Sequence, residues 1–178
     1  MSSKQSKSLS VREVAVFGML GALMYASKIA MEVLPNIHLL ATFVVSMTVV
    51  YRQKALYPIY VFVLLLGLFN GFNIWWIPYL YLWTVLWLVV MLLPKNMSRK
   101  KSAIVYSVVA ALHGFLYGTL YAPAQAIMFH LNFKGMVAWI VAGFPFDAIH
   151  GVSNFFCGLL IVPLIELLRR VDKMVKKT

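Results

Sequence analysis

Long apolar runs alternate along this chain with short polar or proline-bearing breaks. The runs cover residues 11–31, 37–51, 55–72, 75–93, 103–129 and 137–168. Between them stand Pro35-Asn36, Arg52, the turn Asn70-Gly71-Phe72-Asn73, Pro94 with the basic loop 95–102, and the connection 130–134. A helix needs roughly 20 apolar residues to cross the hydrocarbon of a bilayer. The second run falls short, so it fills space between other helices or crosses a thinner section. Pro123 is expected to kink the fifth run, and Pro145 and Pro163 to kink or end the sixth, because proline lacks a backbone donor. The pattern predicts an all-α integral membrane protein of six transmembrane helices in a compact bundle. It is expected to form a single domain over residues 1–178. Residues 1–10 read as a polar basic leader, retained because no A-x-A-like site follows the first run. Residues 169–178 read as a basic cytoplasmic tail.

Composition sharpens this reading. The 178 residues are 62% hydrophobic and 12% charged, with a mean hydropathy of +0.85. A soluble domain of this size could not hide so much apolar surface. The single cysteine, Cys157, excludes an internal disulfide and a Cys-based zinc site. The net charge of +11 would suggest nucleic acid in a soluble protein, but its distribution is topological. Six crossings put 14 of the 16 Lys and Arg on one side, leaving Lys28 and Lys134 on the other. The positive-inside rule then makes both termini cytoplasmic, and a nucleic-acid partner is not expected.

The costly residues come next. Phe144 to Gly158 reads FPFDAIHGVSNFFCG. On a helix, Asp147, His150, Gly151, Asn154 and Gly158 share one side, since neighbours at i+3, i+4 and i+7 stack. An Asp at the centre of a span costs roughly 2.5 to 3.5 kcal/mol on insertion scales. The stripe therefore binds a polar small molecule inside the bundle or pins two helices together as interhelical glue. In the fifth run His113, Tyr117, Tyr121, Gln125 and Met128 lie close to one stripe, beside a small face of Gly114, Gly118 and Ala122. His113 is the deepest, and its spacing suits a helix–helix hydrogen bond better than a ligand contact. In the fourth run Trp76, Tyr79, Trp83 and Trp87 share a face. The outer ones fit an interfacial belt; Trp83 and Trp87 sit deeper, and Trp76, Tyr79 or Trp83 could stack on a flat ligand. With Asn36 and Asn73 in the adjoining breaks and His38 at the start of the second run, the expected pocket opens to the outside and is closed below.

The first run has Gly18, Ala22, Ala26 and Ala30 at four-residue spacing, a flat strip that lets helix backbones approach in lipid. It serves either as a docking face for another membrane subunit or as packing within the chain. Lys28 and Glu32, four apart, form a local ion pair, or Glu32 gates the pocket. Catalytic motifs are missing: there is no H-E-x-x-H, no G-x-S-x-G and no G-x-x-x-x-G-K-[ST]. The four histidines lack metal-ligand spacing, so no metal or cofactor is expected, and the chain does not itself bind ATP in a P-loop.

These residues bring a family into view. Six runs with both ends inside, the Ala22-xxx-Ala26 pair with its Gly18 and Ala30 extensions, Leu34-Pro35-Asn36-Ile37 after the first run, and Pro145-Phe146-Asp147 opening the last helix resemble the substrate-binding S components of energy-coupling factor (ECF) transporters. The resemblance implies a multi-pass protein of a bacterial plasma membrane that captures a vitamin or related micronutrient. It implies work with an ECF transmembrane scaffold subunit and two ATPase subunits, which hold the ATP. It also implies a substrate site at Asn36, His38, Asn73, Trp76, Tyr79, Tyr117, Tyr121, Gln125, Asp147, His150 and Asn154, and a partner-docking strip at Gly18, Ala22, Ala26 and Ala30. No ligand-specific signature is present. Aromatic walls with a carboxylate, imidazoles and amides suit a flat, hydrogen-bonding heterocycle. The competing readings are a stand-alone secondary transporter that relays protons through Asp147 and His150, and an intramembrane enzyme using His150 or His113.

Overall fold

The computed structural model describes residues 9–177, with side chains through Met174. Most of the expected leader, and the last side chains of the expected tail, lie outside the described residues. The described chain is helical with no strand. Helix α1 spans Val11–Ala30, α2 Leu40–Tyr51, α3 Leu56–Asn70, α4 Tyr79–Leu92, α5 Arg99–Phe115, α6 Tyr117–Met128, α7 Phe133–Gly158 and α8 Ile161–Lys177; short 3-10 turns occupy Arg52–Ala55 and Ile74–Trp76. Among the described residues five helical runs are long and apolar enough to cross a membrane: Val11–Ala30, Leu40–Asn70, Ile74–Leu92, Arg99–Met128 and Phe133–Gly158. Local chemistry sets several ends. Ser10 and Glu13 form a capping box at α1, and the Asn132 side chain accepts from Gly135 N–H at the start of α7.

Contacts give the direction of each helix. Along α1 and α3 they climb together: Glu13 pairs with Lys54, Phe17 stacks on Tyr57 at 6.0 Å, and Tyr25 Oη donates to Asn70 Oδ1 at 3.2 Å. These helices are parallel. Helices α3 and α4 oppose each other, since Trp76 Nε1 donates to Val63 O at 2.8 Å while Tyr60 Oη donates to Leu80 O at 2.9 Å. Helix α2 runs with α4, its start near Trp83 and its end at Trp87 and Met91. The run Leu40–Asn70 therefore doubles back at Arg52–Ala55, where Arg52 has φ +54°.

Two expected helices are broken, one away from its anticipated proline and one just ahead of Pro163. The fifth run divides at Leu116, and Pro123 sits within α6. The sixth divides at Leu159–Leu160, and Pro145 sits within an unbroken α7. The second break follows from Pro163, whose missing N–H would have bonded the carbonyl of Leu159. Despite their breaks, α5–α6 and α7–α8 pair antiparallel over their length. Arg99 meets Glu166, Gly158 lies on Ser107, Asn154 reaches Ala110, Gly114 abuts Gly151, and Gly118 meets Asp147. Each step along one helix is matched by the same step down the other.

The bundle is apolar outside and polar along one inner seam. The buried residues of α7 are Asp147, His150, Gly151, Asn154 and Gly158, the stripe read from spacing. Its Phe144, Phe146 and Phe156 are all more than half exposed. Elsewhere Met24, Met47, Phe62, Leu66, Leu86 and Ile161 fill the interior. An outer surface this rich in phenylalanine, leucine and valine suits lipid rather than water.

Candidate functional site

The site is built where α2, α4, α5, α6 and α7 meet, around the indole of Trp83, which is 1% exposed. Five rings surround it, the apolar one being Phe62 at 6.2 Å. His113 lies 5.6 Å away, Tyr117 6.2 Å, Tyr79 6.2 Å and His38 6.3 Å, centroid to centroid. His150 closes the group, 4.7 Å from His38 and 4.9 Å from Tyr117. Tyr121 continues the line, 6.3 Å from Tyr117, and stacks on Trp139. His38 arrives on the segment before α2, which is tied down by Ser153 Oγ donating to Asn36 O at 2.9 Å. Asn36 takes a left-handed φ of +60°, a conformation asparagine tolerates better than most residues.

Several polar atoms here have fixed roles. His113 Nε2 stands 3.1 Å from Leu82 O; a carbonyl only accepts, so Nε2 carries the proton and Nδ1 is an acceptor. Asn154 Nδ2 donates to Ala110 O at 3.3 Å, which leaves Oδ1 as an acceptor. Trp83 Nε1 is a donor by nature. These three atoms, together with His150 Nε2 and His38 Nδ1, are buried without a hydrogen-bond partner. Buried polar groups are nearly always paired, and each one left unpaired costs about 1–3 kcal/mol. Five such atoms lie in one seam.

The structure brings together His38, Tyr79, Tyr117, Tyr121, His150 and Asn154 of the expected set. It adds Trp83 and His113, whose depth had argued against the histidine. Others are engaged differently. Trp76 Nε1 is held by Val63 O, and its ring abuts Phe72 at 4.9 Å. Tyr121 Oη is taken by Trp75 O at 2.9 Å. Asn73 is exposed in the α3–α4 connection, its Nδ2 3.5 Å from Asn70 O. Gln125 is half-buried farther along α6. Asn36 contributes its carbonyl to Ser153.

Asp147 has a structural task. Both its oxygens accept from Gly118 N–H at 3.0 Å. The break at Leu116 leaves that amide, in the first turn of α6, without an intrahelical acceptor, and the carboxylate of α7 supplies one. No hydrogen bond joins Asp147 to His150 among the described residues, and no His, Cys, Asp and Glu group there could hold a metal ion.

On the outer face of α1, Ala22, Ala26 and Ala30 are exposed, and nothing lies within 4 Å of where a Gly18 Cβ would stand. The small residue that α1 turns inward is Gly21, whose Cβ would meet Pro58 O at 2.8 Å. Ala22 and Ala26 instead line an apolar groove of about 590 Å³, walled across from them by Leu164, Leu167, Leu168 and Val171 of α8. Lys28 and Glu32 pair at 3.0 Å nearby. No family model, no curated protein and no solved structure matches this chain.

Proposed function

We propose that this chain is the membrane-embedded substrate-binding subunit of an ATP-driven importer of the ECF type. In this reading it crosses a bacterial plasma membrane six times, with both termini cytoplasmic. It captures a vitamin-like small molecule from outside and delivers it with a scaffold subunit and two ATPase subunits. It performs no catalysis and holds no ATP. The doubling back at Arg52–Ala55 supports six crossings, because it divides the long run Leu40–Asn70 into two antiparallel helices.

The observation that carries the reading is the set of buried, unpartnered polar atoms around Trp83. A resting helical bundle gains nothing from leaving them so. A ligand that inserted between the rings would satisfy them, with N–H groups toward His113 Nδ1 and Asn154 Oδ1 and an acceptor toward Trp83 Nε1–H. Its flat face would lie on Trp83 and Tyr117. Among the described residues no lysine or arginine belongs to the cluster, so the guest is uncharged or weakly charged where it enters. The exposed strip on α1 supports a second membrane subunit, since it offers close backbone approach beside a groove that the described residues leave open.

The test is purification of the full chain followed by mass spectrometry of co-purifying small molecules. A ligand should be present in the wild type, and depleted in His113→Ala and Trp83→Phe. Protein that carries no small molecule, and whose tryptophan fluorescence responds to none of the common vitamins, would defeat the reading.

A further inference from the structure

A second polar site lies at the opposite end of the bundle, where α2 and α4 finish. A cavity of about 150 Å³ is lined by Arg52, Lys95, Arg169 and Tyr106, with Pro94 and apolar neighbours. The three cations come from three separate segments: the α2–α3 bend, the loop after α4, and α8.

Arg52 is held there with unusual firmness. Its backbone has φ +54° and ψ −120°, a conformation that a residue with a side chain adopts only where its surroundings impose it. Trp87 Nε1 donates to its carbonyl at 3.0 Å, and its own Nη2 donates to Met91 O at 2.8 Å. That bond takes one of five guanidinium N–H groups. The fork is thus fixed at the cavity with donors to spare.

Carboxylates are scarce at the cavity, the nearest along the chain being Glu166 and Asp172, three residues either side of Arg169 on α8. Glu13 is taken by Lys54, Glu32 by Lys28 and Glu166 by Arg99, and Asp147 caps α6. No carboxylate lies within ion-pair distance of Arg52, Lys95 or Arg169 among the described residues. The C-terminal ends of α2 and α4 each supply about half a negative charge, roughly one against three. The volume holds about five waters' worth of liquid, room for one tetrahedral oxyanion.

We propose that this cavity binds a phosphate group, with the Arg52 fork as its fixed donor and Lys95 and Arg169 closing over it. The phosphate belongs either to an anionic phospholipid headgroup or to a free phosphate in solution. The proposal stands independently of the transport reading.

The test uses the purified full chain in detergent, wild type and Lys95→Gln/Arg169→Gln. Both altered residues are exposed, so the fold should persist; circular dichroism checks this. Phosphatidylglycerol, phosphatidylcholine and inorganic phosphate are titrated separately, with thermal unfolding and native mass spectrometry as readouts. Phosphatidylglycerol is expected to raise the wild-type Tm and bind one to one, and to bind the double variant about tenfold more weakly or worse. Stabilisation by inorganic phosphate with the same variant dependence assigns the site to a free phosphate; response to phosphatidylglycerol alone assigns it to the headgroup. Arg52→Lys, which keeps the charge and loses the fork, should weaken either ligand. Equal response of wild type and double variant, equal response to phosphatidylglycerol and phosphatidylcholine with none to phosphate, or no response to any probe overturns the proposal.

Discussion

Two strips of small residues, alike in sequence, end in opposite places. Gly18, Ala22, Ala26 and Ala30 lie along the outside of α1 beside an open groove. Gly114 and Gly118 lie inside, against Gly151 and the Asp147 carboxylate of α7, so close that an added Cβ on Gly114 would stand 2.8 Å from the Gly151 Cα. Small residues permit close approach in lipid, but permission is not use. The inner strip is used because α7 presents its own glycines in register and offers Asp147 to the amide freed at the α5–α6 break. The outer strip has no such partner among the described residues, because α1 turns Gly21 toward α3 instead.

The sharpest way to break this comparison is to enlarge the inner strip. Gly114→Leu forces side-chain atoms into α7 backbone, which cannot yield as a flexible side chain would. It should cost about 3 kcal/mol or more by overpacking, read as a large fall in Tm or loss of folded protein in detergent. A Tm within a degree of wild type would show that α5 and α7 are not in close contact.

Next in size is the cap. Asp147→Ala strands the Gly118 amide and should destabilise by about 1–3 kcal/mol, while Asp147→Asn keeps an acceptor and should cost less. Chemical denaturation of the two variants side by side checks the order. If Asp147→Ala were neutral for stability yet abolished ligand binding, the carboxylate would belong to the ligand and not to α6.

Smaller still is Gly18→Ala. Open space surrounds the position, so alanine's helix preference should raise stability by about 0.5–1 kcal/mol, seen as a modest Tm increase. Loss of stability would mean that something of this chain covers the strip.

The smallest effect on stability is expected for Ala22→Leu with Ala26→Leu, within about 0.5 kcal/mol, as for surface changes in general. Association with a membrane partner should be lost while ligand binding stays, measured by co-purification and by tryptophan fluorescence. Lost expression or lost ligand binding would return the strip to internal packing.

The hydrophobic pattern alone determined the helical membrane class, the boundaries of α1, and the inward stripe Asp147, His150, Gly151, Asn154 and Gly158. It did so because period and cost are local: a helix repeats every few residues wherever it lies, and an apolar exterior forces hydrophilic groups onto one face. Trp83 was half-legible, through a depth that no interfacial belt explains. Other features came only from the tertiary structure. The pairing of Asp147 with Gly118, the reuse of Trp76 and Tyr121 Oη as ties to backbone carbonyls, His113 joining His38 and His150, and Arg52 facing Lys95 and Arg169 each depend on which helix lies opposite. Spacing along one helix fixes which residues share a face, but neighbours from distant parts of the chain are chosen by how all the faces pack at once. The same four-residue repeat could therefore become a buried seam in α5–α6 and a free surface on α1.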